Sequence, residues 1–310
     1  KTFSGGGSTA DTWTVPAGVT SATVVVTGAG GGSTSVLIPA QGARTAASGG
    51  FGARVTATLT GLNENELTIY SATRGARQNW GNDPARTGGA GYAAGGDGGL
   101  GDYYTVEGNS SRYYGAGGGG ASAILVGTDE LVVAGGGGGA ASALSITTDA
   151  QGCSAYDWNP TARDLAGCIN NIRAGGGGDQ SQSGVAGISS GGSSHNGTSL
   201  RGTANQEKGG QGGSWSANTQ GGKGGGGGGG GWKGGGGGAA EQSHPGGGGG
   251  AGSSYPPSTI TEQSITVTAS VAKSPNRNGS VTITYTDPRT MTVSTEPDSS
   301  VAVDVDLGEP

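Results

Sequence analysis

Apolar and polar residues alternate near both ends of this chain, and glycine displaces that pattern across most of the middle. Residues 54–59 put Val55, Ala57 and Leu59 on one side and Arg54, Thr56 and Thr58 on the other; residues 66–70 resume the alternation after a polar turn at 62–65. Further along, Ile265, Val267, Ala269 and Val271 alternate with Thr and Ser, and Val281, Ile283 and Tyr285 alternate with Thr. A period of two marks a strand with one wet face. Trp13-Thr-Val15 and residues 19–27 predict a short strand, a turn at 16–18 and a second strand. In the middle, two apolar stretches at 123–126 and 131–134 flank the turn 127–130 and predict a hairpin. Asn159-Pro160 ahead of 161–167 has the order of an N-cap, a first-turn proline and a terminal glycine, which predicts a short helix. The tail holds residues 290–295, a break at Glu296-Pro297-Asp298, and then 300–307. In that last stretch Val301, Val303, Val305 and Leu307 share one face, with Asp304 and Asp306 on the other.

Between these strands lies the glycine. The chain has 74 among 310 residues, many in runs such as 117–120, 135–139, 175–178, 224–231, 234–238 and 246–250. Glycine loses more conformational freedom on folding than any other residue, so such runs stay disordered or are ordered by a special route. A flexible linker is one reading. It fits poorly, because aromatic residues, an apolar hairpin and a cysteine loop interrupt the runs, and structureless insertions of that length are uncommon in compact domains. The other reading is polyglycine II, with three residues per turn and a rise of about 3.1 Å. Its N–H and C=O groups all point outward and bond to neighbouring helices. A hydrogen bond nets about 1 kcal/mol against about 1–2 kcal/mol for fixing one residue's backbone. A single helix would not hold. Roughly nine parallel and antiparallel ones, pinned by strands, would, with side chains tolerated only on outer helices or at surface-facing positions.

Composition narrows the function. Only 31% of residues are hydrophobic, enough for one modest β-core. The net charge is −6 with no basic cluster, which argues against a nucleic-acid partner, since that affinity comes largely from neutralised phosphates. No apolar run approaches the length of a membrane span. The chain begins at Lys1 without Met or a signal sequence, which reads as a processed or excised form. Cys153 and Cys168 close a short loop; as a disulfide they would stabilise the fold by roughly 3 kcal/mol. The low hydrophobicity and Ser/Thr richness favour that pairing and an extracellular or cell-surface setting, two buried thiols being the plainer alternative. Asn109, Asn196 and Asn278 fit the N-glycosylation pattern, a weak signal in a chain so rich in Ser and Thr.

The search for chemistry returns little. Residues 23–33 look like a dinucleotide-binding turn, but Ser33 stands at the third glycine and no βαβ unit surrounds it. No glycine run ends in the Lys-Ser/Thr of a phosphate loop. His195 and His244 have no spaced partner for zinc. No Gly-x-Ser-x-Gly joins a strand to a helix. Asp298, Asp304 and Asp306 lack the spacing of a calcium loop and read as a solvated face. Trp80, Trp158, Trp215 and Trp232 lie near glycine runs, where packing over bare backbone is the plainer role and stacking on sugars the sharper one. No catalytic residue, metal ligand or cofactor site is expected.

One arrangement resembles a known family. Residues 114–126 and 131–140 have the order glycine run, hairpin strand, turn, apolar strand, glycine run. This is similar to the glycine-rich domain of the anaplastic lymphoma kinase and leukocyte tyrosine kinase receptors. Trp13-Thr-Val-Pro-Ala with its following strand, residues 52–59 with 66–70, and the closing 279–285 are similar too, so the likeness covers roughly residues 10–286. It implies an all-β, jelly-roll-like sandwich carrying an inserted bundle of polyglycine II helices, with little α-helix. Related glycine-rich domains also resemble bacterial surface proteins and phage tail-fibre adhesins. The many cysteines of the receptors, their transmembrane helix and their kinase have no counterpart here, and receptor signalling is not implied. The expected organisation is a sandwich plus bundle over 1–286, the bundle-forming runs mainly at 88–252, and an extension at 287–310. The function expected first is a self-assembling subunit of an extracellular filament or matrix. Its partner would be another copy of itself, joined head to tail by strand addition through Val301, Val303, Val305 and Leu307. The competing expectation is an adhesin or ligand-binding module that presents loops at the bundle tip, around Trp215 and Trp232, to cell-surface glycans or a receptor. An enzyme comes a distant third.

Overall fold

The computed structural model describes residues 1–38, 42–78, 86–106, 109–142, 152, 175, 177–178, 181–189, 208–215, 222–242, 245–256, 259–273 and 278–288. Cys153, Cys168, Asn196, the 159–167 helix and the strand at 300–307 lie outside the described residues. The described residues form fourteen strands and no helix: β1 (Thr2–Ser4), β2 (Asp11–Thr14), β3 (Ser21–Thr27), β4 (Thr34–Ile38), β5 (Gly42–Ala47), β6 (Ala53–Thr60), β7 (Glu66–Tyr70), β8 (Tyr103–Val106), β9 (Asn109–Arg112), β10 (Ser122–Val126), β11 (Asp129–Ala134), β12 (Ile260–Glu262), β13 (Ile265–Lys273) and β14 (Ser280–Thr284).

Two antiparallel sheets make a sandwich. One runs β1-β14-β3-β6-β13-β12 and the other β11-β10-β7-β2. The alternation read from sequence fixes the facing sides: along β6 buried and exposed residues alternate without exception. Val24, Val26, Val55, Leu59, Ile265, Val267, Val281 and Ile283 of the larger sheet meet Trp13, Leu67, Ile69 and Ile124 of the smaller one. β10 departs from alternation because every residue in it is buried. Its second face carries Ala123 and Leu125, covered by Tyr92, Trp232 and Tyr255 from the glycine-rich segments. The ring of Trp232 stacks on Tyr255 at 4.1 Å between centroids. Two hairpins, β4–β5 and β8–β9, stand apart from the sandwich.

The glycine-rich segments carry a backbone hydrogen-bond pattern that repeats every third residue. In 113–121, the N–H groups of Gly115, Gly118 and Ala121 donate to the carbonyls of Gly99, Gly96 and Ala93. Ala116 and Gly119 donate to Ala140 and Gly137, while Gly117 and Gly120 donate to Ala76 and Thr73. The same segment accepts from Ala29 and Gly32, from Gly89 and Tyr92, and from Gly227 and Gly230. It is therefore ringed by six neighbours. Residues 222–231 are ringed in the same way, donating to 113–119, 210–213 and 247–250 and accepting from 96–102, 136–142 and 235–241. Pairings are of both senses: Gly224, Gly227 and Gly230 step along Tyr113, Ala116 and Gly119 in parallel, whereas Gly96, Gly99 and Asp102 run against Gly228, Gly225 and Gly222.

This close packing explains the residue type. A Cβ added at Gly227 would fall 2.0 Å from the carbonyl oxygen of Gly96, and one at Gly118 1.9 Å from that of Gly228. The outer segments keep the same period in their exposure. Lys208 and Gln211 face out from Lys-Gly-Gly-Gln-Gly-Gly-Ser, where Ser214 is half-buried and its Oγ accepts the N–H of Leu100, and Val185 and Ile188 face out from 184–189. The expectation that side chains sit only at surface-facing positions needs correction. Ala29, Ala116 and Ala140 are fully buried. A methyl fits where the facing residue is glycine: a Cβ added at Gly32 would come within 3.0 Å of the Ala116 methyl.

Gly227→Val should lower the unfolding free energy by about 3 kcal/mol or more through overpacking. Gly177→Ala is the control, because its added Cβ meets nothing nearer than Ala251 O at 3.7 Å. Thermal melts that leave Gly227→Val unchanged would remove the close-packed arrangement.

Candidate functional site

The glycine-rich segments have two ends. One joins the sandwich, where β3 continues into Gly28, β10 begins after Ala121 and β11 continues into Gly135. At about 3.1 Å per residue, an extended threefold segment such as 222–230 puts the other end roughly 25 Å away. That far tip gathers polar residues. Asp102 N donates to Gly222 O at 2.8 Å, Tyr113 N to Asp102 O at 3.3 Å, and Gly224 N to Tyr113 O at 2.9 Å. Ser142 N donates to Gly224 O, and Gly246 N donates to Ser142 O, both at 3.1 Å. Asp102, Tyr113, Ser142, Gly246 and Glu241 thus surround the start of the 222–231 segment.

Lys223 stands at the centre of this ring. Its backbone exchanges both hydrogen bonds with Glu241, at 2.7 and 3.0 Å, and its Nζ donates to the carbonyl of Gln242. Lys223 is only 3% exposed and Glu241 1%. Burial pushes the Lys223 pKa down, and the Glu241 charge opposes that shift. The hydroxyl of Ser142 is buried with no hydrogen-bond partner among the described residues. These two charged residues were not singled out from sequence, although a signal existed. Lys223 and Glu241 are equidistant from Trp232, and the segments on either side of Trp232 pair antiparallel in that register, Gly235 N to Gly229 O and Gly238 N to Gly226 O. Opposite charges placed symmetrically about the turn therefore meet at its open end.

The tip is also where loops converge. The β4–β5 and β8–β9 hairpins leave from it, following Ser33 and Asp102. Of the tryptophans read as a joint tip, Trp215 does lie here, its N–H donating to Leu100 O, but Trp232 sits at the sandwich end with its N–H on Ser253 O. The expectation that these two share a tip is wrong; the 222–231 segment separates them by its full length. Asn278 is exposed, and its Oδ1 accepts the N–H of Arg74 at 3.2 Å. Asn109 begins β9 near the tip. No cluster of three or more His, Cys, Asp or Glu that could hold a metal ion occurs among the described residues. No helix among them is long and apolar enough to cross a membrane. The chain matches no family model and no curated protein.

Because burial lowers the folded-state pKa of Lys223, unfolding takes up a proton between that lowered value and the ordinary 10.5. Stability from this residue therefore rises with pH across that window. Melts of the wild type and Lys223→Met at pH 7 and pH 10 should show the wild type gaining relative to the variant at the higher pH. A constant difference would mean that the ammonium is not desolvated.

Proposed function

We propose that this chain is an extracellular, non-enzymatic module in which a bundle of polyglycine II helices carries a set of loops away from a β-sandwich to meet a cell-surface glycan or receptor. The observation that carries this reading is the opposition of two poles. The chain's last described residues, Asp287 and Pro288, lie beside the Pro16–Gly18 turn, since a Cβ at Gly18 would meet Pro288 at 2.9 Å. That pole is farthest from the tip, because β3 runs from there to the glycine segments. Polyglycine II is supported by the threefold donor pattern and the six-neighbour packing. Such a bundle is stiff, hydrophilic and poor in side chains, properties suited to an exposed spacer. The cysteine pair and the Ser/Thr-rich surface are in keeping with an oxidising compartment.

The test is binding of the labelled full chain to cells and to an immobilised glycan panel. Trp215→Ala, and a variant with the β8–β9 hairpin shortened to a tight turn, should lose binding with unchanged melting temperature. Thr58→Ala on the outer sandwich face should bind as the wild type does. Equal binding by all variants would place recognition away from the tip. A filament subunit is the second reading, favoured by the exit of the acidic, alternating tail beside an edge strand. Negative-stain images of purified protein separate the two: discrete particles support the display module, and filaments support the subunit.

A further inference from the structure

We propose that the step where the glycine segments end against the sandwich binds an alkylammonium group, held between the carboxylates of Glu130 and Glu262 and the rings of Tyr255 and Trp232. Backbone pairing builds this step. On the outer face of the smaller sheet Glu130 stands opposite Leu125 and Tyr70 opposite Ala123. Tyr255 exchanges both backbone hydrogen bonds with Val133, at 2.7 and 2.8 Å, which places it along the outer edge of β11. Glu262 comes from the other sheet, at the end of β12. The next residue, Gln263, donates from Nε2 to Asp129 Oδ2 at 2.6 Å and to the carbonyl of Val126 at 3.3 Å. That contact holds the β12–β13 turn against the β10–β11 turn. Both carboxylates consequently reach the Tyr255 phenol, whose pKa is pushed up by burial first and then by Glu262 and Glu130.

The chemistry of the step is that of a cation site. Tyr70, Tyr255 and Trp232 are half-buried over an apolar floor of Ala123, Leu125 and Val133. The Tyr92 hydroxyl occupies one oxygen of Glu130. The other oxygen, the Glu262 carboxylate and the hydroxyls of Tyr70 and Tyr255 have no hydrogen-bond partner among the described residues. No described lysine or arginine forms an ion pair with either carboxylate, including Lys233 beside Trp232. Two carboxylates without a counter-charge repel each other, and a cation between them removes that repulsion. The negative face of an aromatic ring attracts the same charge. A neutral sugar would stack on the rings without using the charge, and an anion would be repelled. An ammonium carrying apolar substituents uses both the rings and the carboxylates.

Titration of the full chain with choline, followed by ligand-observed NMR, tests this. Choline should bind about tenfold or more tightly than neohexyl alcohol, its neutral isostere, and added NaCl should shrink that advantage. Glu262→Gln should weaken choline about fivefold or more, and it leaves the Tyr92 bond untouched. Glu130→Gln should do the same while keeping an acceptor for the Tyr92 hydroxyl. Glu66→Gln, which neutralises an exposed carboxylate on β7, should bind choline as the wild type does. A blocked lysine amide, run in parallel, separates the sources: tighter binding than choline assigns the step to a lysine side chain, and weaker binding to a quaternary head group. Equal affinity for choline and neohexyl alcohol would overturn the proposal in favour of plain apolar contact. No binding of either ammonium, or equal losses in all three carboxylate variants, would also overturn it. Competition by methyl glucoside at matching affinity would replace the ammonium with a sugar.

Discussion

The structure depends on one distance, that between a glycine Cα and the carbonyl oxygen of a neighbouring segment. Lateral N–H···O bonds of 2.7–3.3 Å hold the glycine-rich segments together. They form only where nothing projects from the Cα toward the neighbour, because an added Cβ would fall about 2 Å from a carbonyl at many positions. Backbone bonding thus does here what side-chain packing does in an ordinary core. A buried peptide group left without a partner is costly, so a ring of six neighbours serves as the polar counterpart of a packed apolar interior. The sandwich then has a definite task. Strands β3, β6, β10 and β11 run straight into glycine segments, and their register sets the level at which those segments meet.

The junction between the two parts is aromatic. Tyr92, Trp232 and Tyr255 come from glycine-rich stretches and seal the outer face of β10. The Tyr92 hydroxyl donates to Glu130 on β11, and burial followed by that carboxylate pushes the tyrosine pKa up. An all-glycine segment offers no apolar surface with which to grip a sheet. The few aromatic residues at segment ends supply it.

Much of the sandwich was legible from alternation alone, since β6, β7, β13 and β14 lie where a period of two places them; the β10–β11 hairpin was legible instead as two apolar stretches about a polar turn, because β10 is buried throughout. The missed strands failed for physical reasons. β1 and β12 have three residues each, too short for alternation to register, and they form because a longer neighbour offers an edge. β4–β5 and β8–β9 each form a two-stranded sheet separate from the sandwich, outside the alternation that two facing sheets impose. In the glycine segments the runs were legible but their order in space was not. Yet Ala94-Gly-Gly-Asp97-Gly-Gly-Leu100 and Lys208-Gly-Gly-Gln211-Gly-Gly-Ser214 state the period openly, and a side chain at every third residue marks a segment with one face in solvent. The buried pair of Lys223 and Glu241 was hidden because charge in a glycine run reads as exposure. Only the register of the turn at Trp232 brings the two together.

The threefold period also constrains how the length of such a chain can change over generations. Deleting one residue from an interior segment would rotate everything after it by about a third of a turn. Donors aimed at one neighbour would then face another, and the mismatch would run to the segment's end. Removing three residues restores the aim and shortens the stack by one layer. Interior segments should therefore tolerate gain and loss in triplets, with paired segments altered together, while the tip loops, which carry no such phase, remain free to vary one residue at a time.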